Sequence, residues 1–270
     1  MLLTGACATP QGPARPVDPA ATAARLDALM ISLYGSLEEH RAVERLAYDR
    51  VEGGIAACMR AARRPYRMPP FVSFYQDFTD ADLGYGNGRA TVIDSLTMGA
   101  RRFVLNELSY ARIARTGAGR RDGALPECTK DAGPRDVWAA TPAEAKRISL
   151  DDLLLPIIED PGVVREMRAY QSCMSNRYGY TVDARDDFLF APVINRADAP
   201  PDGQAASPAW QRGVAELNAK FAADADCRRP AYEAGMRVVA ANLDTWQEKH
   251  QTEIDAARRG WRERVNAIKW

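Results

Sequence analysis

The apolar residues near the C-terminal end constrain the fold of this chain more than any other feature of its sequence. They recur largely at steps of three or four: Tyr232, Met236, Val239, Leu243, Trp246, Ile254, Ala257, Trp261, Val265 and Ile268. Such steps place side chains on one face of an α-helix. No proline interrupts the pattern after Pro230. It therefore predicts one amphipathic helix of about 40 residues, roughly 60 Å long, that packs along the whole body or bends near Gly260.

Shorter segments upstream also carry the local signals of helices. Asp18 followed by Pro19 is a typical N-cap with proline at the first helical position. Ser36 and Glu39 form a capping box for a second helix. Apolar residues at helical spacing continue from there and place Cys58 on the buried face. Because 270 residues can bury a sizeable core, we predict a mostly α fold.

The two halves of the chain share a weak repeat that involves four cysteines. In each half a helix ends in a Cys-Met pair before a turn that contains tyrosine, at Cys58 and at Cys173. A single cysteine follows downstream in each half, Cys128 in the first and Cys227 in the second. The arrangement predicts two weakly repeated helix-plus-loop units, each closed by its own disulfide.

The pairing of these cysteines has alternatives. Four cysteines allow three pairings, of which the repeat favours Cys58 with Cys128 and Cys173 with Cys227. Four buried free thiols in a cytosolic protein are a second interpretation. A zinc site is less favoured, because no two cysteines have C-x₂₋₄-C spacing and the chain has only two histidines.

The first residues read as the end of a bacterial lipoprotein signal followed by a flexible tether. Apolar and then small residues precede Cys7, which stands where the lipid is attached in such signals. Residues 8–19 contain four prolines and no apolar periodicity. The charged and apolar regions of a complete signal are missing, and Thr4 replaces the usual Leu or Val. We therefore expect the true start to lie upstream.

These features predict three segments and a location. Residues 1–18 are the truncated signal and tether, 19–140 the first helical unit, and 141–270 the second unit with the long C-terminal helix. A lipid on Cys7 would anchor the protein to the outer face of the cytoplasmic membrane, where disulfides persist. The longest apolar cluster, residues 153–158, is too short to span a bilayer.

Charge and histidine content argue against several classes of function. Lys+Arg and Asp+Glu both total 36, so the positive surplus that nucleic-acid binding requires is missing. His40 and His250 are the only histidines, and no nucleophile-elbow, zinc-protease, P-loop or dinucleotide motif occurs. We predict no catalytic residue, no metal site and no cofactor.

Two groups of loop residues leave alternatives open. Aromatic residues with a nearby arginine could line a carbohydrate or peptide groove, or could fasten an irregular loop to the helices. This possible ligand loop comprises Phe71, Phe74, Tyr75, Phe78, Tyr85 and Arg89. Acidic residues could supply a carboxylate pair for glycoside hydrolysis, or act as helix caps and solvated loop residues. They are Asp77, Asp80, Asp82, Asp183, Asp186 and Asp187.

Short motifs along most of the chain point to a family. They are the lipobox-like start at Cys7, the Cys-Met helix ends before a Pro-Tyr or Gly-Tyr turn, and residues Ala223 to Arg228 before the long helix. In these motifs the sequence resembles the actinomycete-type hypothetical lipoproteins. It departs from them at the truncated signal and at Arg63-Arg64-Pro65. The resemblance implies an envelope protein and transfers no catalytic residue.

The function that we expect from these observations is a non-enzymatic extracytoplasmic lipoprotein. It would serve as an interaction or accessory module, with an envelope protein or a cell-wall polymer as partner. The alternatives are a carboxylate-dependent cell-wall hydrolase and a small-ligand-binding protein that uses the cleft between the two units.

Overall fold

The computed structural model describes residues 17–83, 100–117, 120–130, 142–184, 188–189 and 207–268. The helices are α1 (Pro19–Tyr34), α2 (Leu37–Ala61), α3 (Ala100–Thr116), α4 (Pro126–Lys130), α5 (Asp151–Glu159), α6 (Pro161–Met167), α7 (Tyr170–Tyr178), α8 (Pro208–Lys249) and α9 (Gln251–Asn266). A turn of 3-10 helix spans Asp80–Leu83. Because the described residues contain no strand, the predicted mostly α fold is confirmed. Cys7, Tyr85, Arg89, Asp186 and Asp187 lie outside the described residues.

The first two helices begin where their caps predict. The Asp18 carboxylate accepts the Ala20 N–H at 2.9 Å. At the start of α2, Ser36 Oγ accepts the Glu39 N–H at 3.3 Å, and the Glu39 carboxylate accepts the Ser36 N–H at 2.6 Å. These side chains satisfy amide groups that a helix leaves without intrahelical acceptors.

The long helix differs from its prediction at both ends. It begins at Pro208 and passes through Pro230, where the sequence pattern placed its start. Proline removes one intrahelical hydrogen bond and crowds the preceding turn. Buried residues on both sides of Pro230, including Cys227 and Ala231, pack the helix into the body and keep it continuous. Tertiary packing therefore outweighs the local cost of the proline.

The interruption near the C-terminal end lies at His250 rather than at the predicted position, Gly260. His250 has φ −110° and ψ 15°, and it separates α8 from α9. Gly260 lies inside α9, where a Cβ atom would be only 2.8 Å from the Cβ of Pro142. Its missing side chain thus permits close packing against the segment that precedes α5, and the helix does not bend there.

The core is built around α8. This helix packs against α1, α3, α5, α6 and α7, while α9 packs against α1 and α2. The largest apolar cluster includes side chains with no exposed surface from three helices: Leu26, Leu33, Leu153, Ile157, Val239 and Leu243. The cluster contains residues from both sides of the predicted unit boundary at residue 140, and the division into two units stays a prediction.

Both disulfides that the repeat favours are present. Cys58 pairs with Cys128 and joins α2 to α4, with their Cα atoms 5.5 Å apart. Cys173 pairs with Cys227 and joins α7 to α8, with their Cα atoms 5.7 Å apart. These separations are usual for disulfides. The mostly α, disulfide-stapled fold is therefore established.

Candidate interaction surface

The aromatic loop is fastened to α2 by polar side chains of that helix. The Arg41 guanidinium donates to the backbone carbonyls of Tyr75 and Gln76, each at 2.9 Å. The Glu44 carboxylate accepts the Phe74 N–H at 2.9 Å and also the Ser73 hydroxyl. Because these bonds involve the loop backbone, they hold the path of the loop on the helix surface.

The rings of this loop pack against one another and against the core. Phe78 is only 4% exposed, and Phe74 and Tyr75 are half-buried against the main cluster. Phe74 makes edge contacts with Tyr75 and with Tyr110 of α3. These contacts favour the interpretation that the aromatic residues fasten the loop to the helices. The groove interpretation stays a prediction.

Burial of the Glu44 carboxyl makes stability depend on pH. Burial raises its pKa above the usual value, while hydrogen bonds from Ser73, Phe74 and Tyr75 and the charge of Arg41 oppose the shift. A raised folded-state pKa means that this group stabilises the fold at low pH and that its contribution is lost as pH rises through that pKa. As pH rises through the raised pKa of Glu44, we expect the unfolding free energy of wild-type protein to fall relative to that of Glu44→Gln. Urea unfolding at a series of pH values measures both.

The control for this prediction is Glu38→Gln, a substitution on the exposed surface of the same helix. Its stability should follow the wild-type pH profile. Parallel profiles for wild type and Glu44→Gln would contradict the prediction.

The first acidic cluster is used to hold the same loop. Asp77 forms an ion pair with Arg112 of α3. The Asp80 carboxylate accepts the Leu37 N–H at the start of α2, at 2.8 Å. Asp82 accepts the backbone N–H and the hydroxyl of Thr79 at 2.8 and 2.7 Å. These partners favour a structural role. In the second cluster Asp183 is exposed, and the hydrolase alternative stays a prediction.

Both histidines lie against aromatic rings. The His40 ring centroid is 5.3 Å from that of Tyr75 and 5.8 Å from that of Trp261. The His250 ring is tilted by 35° against that of Trp246, with 4.5 Å between centroids. The described partners of both imidazoles are thus packing partners within the helical body.

Sequence reasoning missed a buried acid–tyrosine–arginine cluster beside the second disulfide. Asp224 is 1% exposed and Arg228 2%. The Asp224 carboxylate accepts the Tyr170 hydroxyl at 2.8 Å and the Arg228 Nε–H at 2.8 Å. Within the described residues, Arg228 Nη1 is buried without a hydrogen-bond partner. The available signal was an acid and an arginine four apart on a helix next to Cys227.

A similar cluster includes Tyr66, which packs against the same apolar cluster as Cys58 and Cys128. The Glu52 side chain has no exposed surface. Its carboxylate accepts the Tyr66 hydroxyl at 2.8 Å and the Arg121 Nε–H at 3.3 Å. Each disulfide therefore has a neighbouring buried carboxylate that joins a helix to a second segment of the chain.

The second disulfide also lies near a possible metal ligand. The sulfur atoms of Cys173 and Cys227 and a carboxylate oxygen of Asp226 are within 4.8 Å of one another. The two sulfurs are bonded to each other, so neither is a thiolate ligand. Asp226 is 2.6 Å from the Arg177 guanidinium and accepts the Tyr178 hydroxyl at 2.9 Å. The arrangement is that of a disulfide with an adjacent ion pair.

The α5 helix buries one apolar face and exposes further apolar side chains among acidic residues. Leu153 and Ile157 point into the core with no exposed surface, whereas Leu155 is 54% exposed and Ile158 51% exposed. A helix with apolar residues on every side is usually buried, and exposed apolar groups that cluster mark interaction sites. We call the exposed residues of this helix the α5 strip: Asp151, Asp152, Leu155, Pro156, Ile158 and Glu159.

The chain matches no known protein family, no curated protein and no solved structure. Among the described helices, none has the length and apolar character needed to cross a membrane.

Proposed function

We propose that this protein is an extracytoplasmic lipoprotein that acts as a non-enzymatic interaction module. The observation that carries the proposal is the α5 strip, which exposes the neighbouring aliphatic side chains of Leu155 and Ile158 by about half. Removing such side chains from water is the main driving force for protein association. Contact with a second protein would bury these exposed side chains, which folding of the chain alone leaves in water.

The location is supported by the two disulfides. Disulfides form and persist outside the cytoplasm and are rare within it. The Cys7 tether and the resemblance to envelope lipoproteins favour attachment to the outer face of the cytoplasmic membrane. The non-enzymatic character is supported by the structural partners of Asp77, Asp80 and Asp82, which hold a loop in place.

Site-specific crosslinking in intact cells tests the interaction. A photoreactive phenylalanine analogue at position 155 should yield a defined adduct with one envelope protein. The same group at position 110, where Tyr110 is 56% exposed, is the matched control and should yield none. Mass spectrometry of the membrane-bound protein should also find lipid on Cys7.

Two results would contradict the proposal. Identical crosslinking at positions 155 and 110 would show that the α5 strip has no specific partner. Recovery of an unmodified N-terminal peptide that contains Cys7 from native protein would show that Cys7 carries no lipid.

A further inference from the structure

We propose that the segment that docks on the α5 strip is a cationic amphipathic helix of a partner protein. This inference rests on the proposed function and specifies the chemistry of the partner. It depends on how charge is arranged around the two exposed apolar residues.

The exposed residues of α5 form a single sector of the helix. At 100° per residue the exposed residues span about 160° around the helix, with Leu155 near the middle of this sector and Ile158 at one edge. Along the axis, Asp151 and Asp152 lie at the N-terminal end, Leu155 lies between them and Glu159, and Ile158 adjoins Glu159. The strip therefore has apolar residues between acidic residues at its two ends. Eight residues of helical rise separate Asp151 from Glu159, which is about 12 Å.

The dipole of α5 favours the acids at one end of the strip but not the acid at the other. Asp151 and Asp152 stand at the helix N-terminus, where the helix dipole favours negative charge. Glu159 stands in the last turn, where the dipole favours a cation. Among the described residues Glu159 forms no ion pair. Its charge is unfavourable at the C-terminus of α5, although it adjoins Asp160, the N-cap of α6, where negative charge is favourable. A basic partner would offset the unfavourable interaction with α5.

Among the residues that the structure describes, Asp152 is the one acid of the strip that forms an ion pair. Asp152 lies 3.3 Å from the Lys249 ammonium, and the two side chains are 72% and 63% exposed. An exposed pair of this kind is weak and exchanges readily with other cations. The strip thus remains an acidic surface with an apolar centre.

The charges argue against two other occupants. If two copies of the chain packed α5 against α5 in antiparallel fashion, Asp151 of one copy would approach Glu159 of the other. Like charges opposite one another oppose such an interface. An anionic lipid surface would be repelled in the same way. A helix with an apolar face would contact the apolar residues of the strip, and Lys or Arg about eight residues apart would pair with the acidic residues at its two ends.

Binding of two synthetic peptides tests the inference. One is an 18-residue Leu/Lys amphipathic helix with lysines eight positions apart, and the other has Glu in place of every Lys. We expect the full chain to bind the Lys peptide more tightly, with affinity that falls as salt rises. The Leu155→Ser/Ile158→Ser variant should weaken binding of the Lys peptide at least about tenfold.

The decisive variant is Glu159→Lys. It complements the dipole at the C-terminus of α5 but places a cation next to the N-terminus of α6, so thermal unfolding followed by circular dichroism checks that the variant remains folded. We expect it to weaken binding of the Lys peptide and strengthen binding of the Glu peptide. The matched control is Tyr110→Ser, which removes an exposed aromatic ring elsewhere and should leave both affinities unchanged.

Several outcomes would overturn the inference. They are equal affinity for both peptides, no effect of Glu159→Lys, and self-association that the Leu155→Ser/Ile158→Ser variant abolishes. If the protein binds phosphatidylcholine or phosphatidylglycerol vesicles and the same variant abolishes this binding, the strip is a lipid-binding surface. Crosslinking at position 155 that persists unchanged in Glu159→Lys would leave the proposed function intact and reject only the charge requirement.

Discussion

An Asp224→Ala variant is expected to lose about 3–5 kcal/mol of unfolding free energy, because it leaves a buried guanidinium without its counter-ion. Arg228 is 2% exposed, and its Nε and Nη2 atoms lie 2.8 and 2.6 Å from Asp224 Oδ2. The substitution also removes the acceptor of the Tyr170 hydroxyl. Urea unfolding followed by circular dichroism measures the loss.

Two further variants make this prediction specific. Asp244→Ala removes an exposed ion pair with Arg25 and should cost no more than about 1 kcal/mol. The double variant Asp224→Leu/Arg228→Met replaces the buried pair with apolar groups and should recover part of the loss, because no charge stays buried. An Asp224→Ala variant as stable as Asp244→Ala would contradict the argument.

Removal of either disulfide is expected to cost about 4 kcal/mol in the chain-entropy model. The paired cysteines are 70 residues apart in one case and 54 in the other. Because loop entropy grows only slowly with length, the Cys58→Ala/Cys128→Ala and Cys173→Ala/Cys227→Ala variants should be similarly destabilised. Urea unfolding of each variant against wild type measures the effect.

The matched control for the disulfide variants is Cys7→Ala, since both disulfides form without Cys7. It should leave unfolding unchanged. A non-reducing peptide map should recover only the two pairings found here. Peptides that link Cys58 to Cys173, or cysteine variants as stable as wild type, would contradict the disulfide arrangement.

Much of the fold could be predicted from local signals. The caps at Asp18 and Ser36 set the starts of α1 and α2, because each cap depends on side chains within three residues. The repeated Cys-Met pair favoured the disulfide pairing that the structure contains. The passage of α8 through Pro230 could not be predicted in this way. It depends on packing against helices that lie far away in the chain.

For the candidate surface, too, the sequence and the tertiary structure contribute different information. The sequence by itself determined that residues 153–158 are apolar and that acidic residues bracket them. Only the tertiary structure decided that Leu153 and Ile157 are buried while Leu155 and Ile158 face solvent. It also brought Tyr170 to Asp224, which is 54 residues further along the chain. The physical reason is that caps and periodicity act within a few turns, whereas exposure and charge burial depend on which distant helices cover each face.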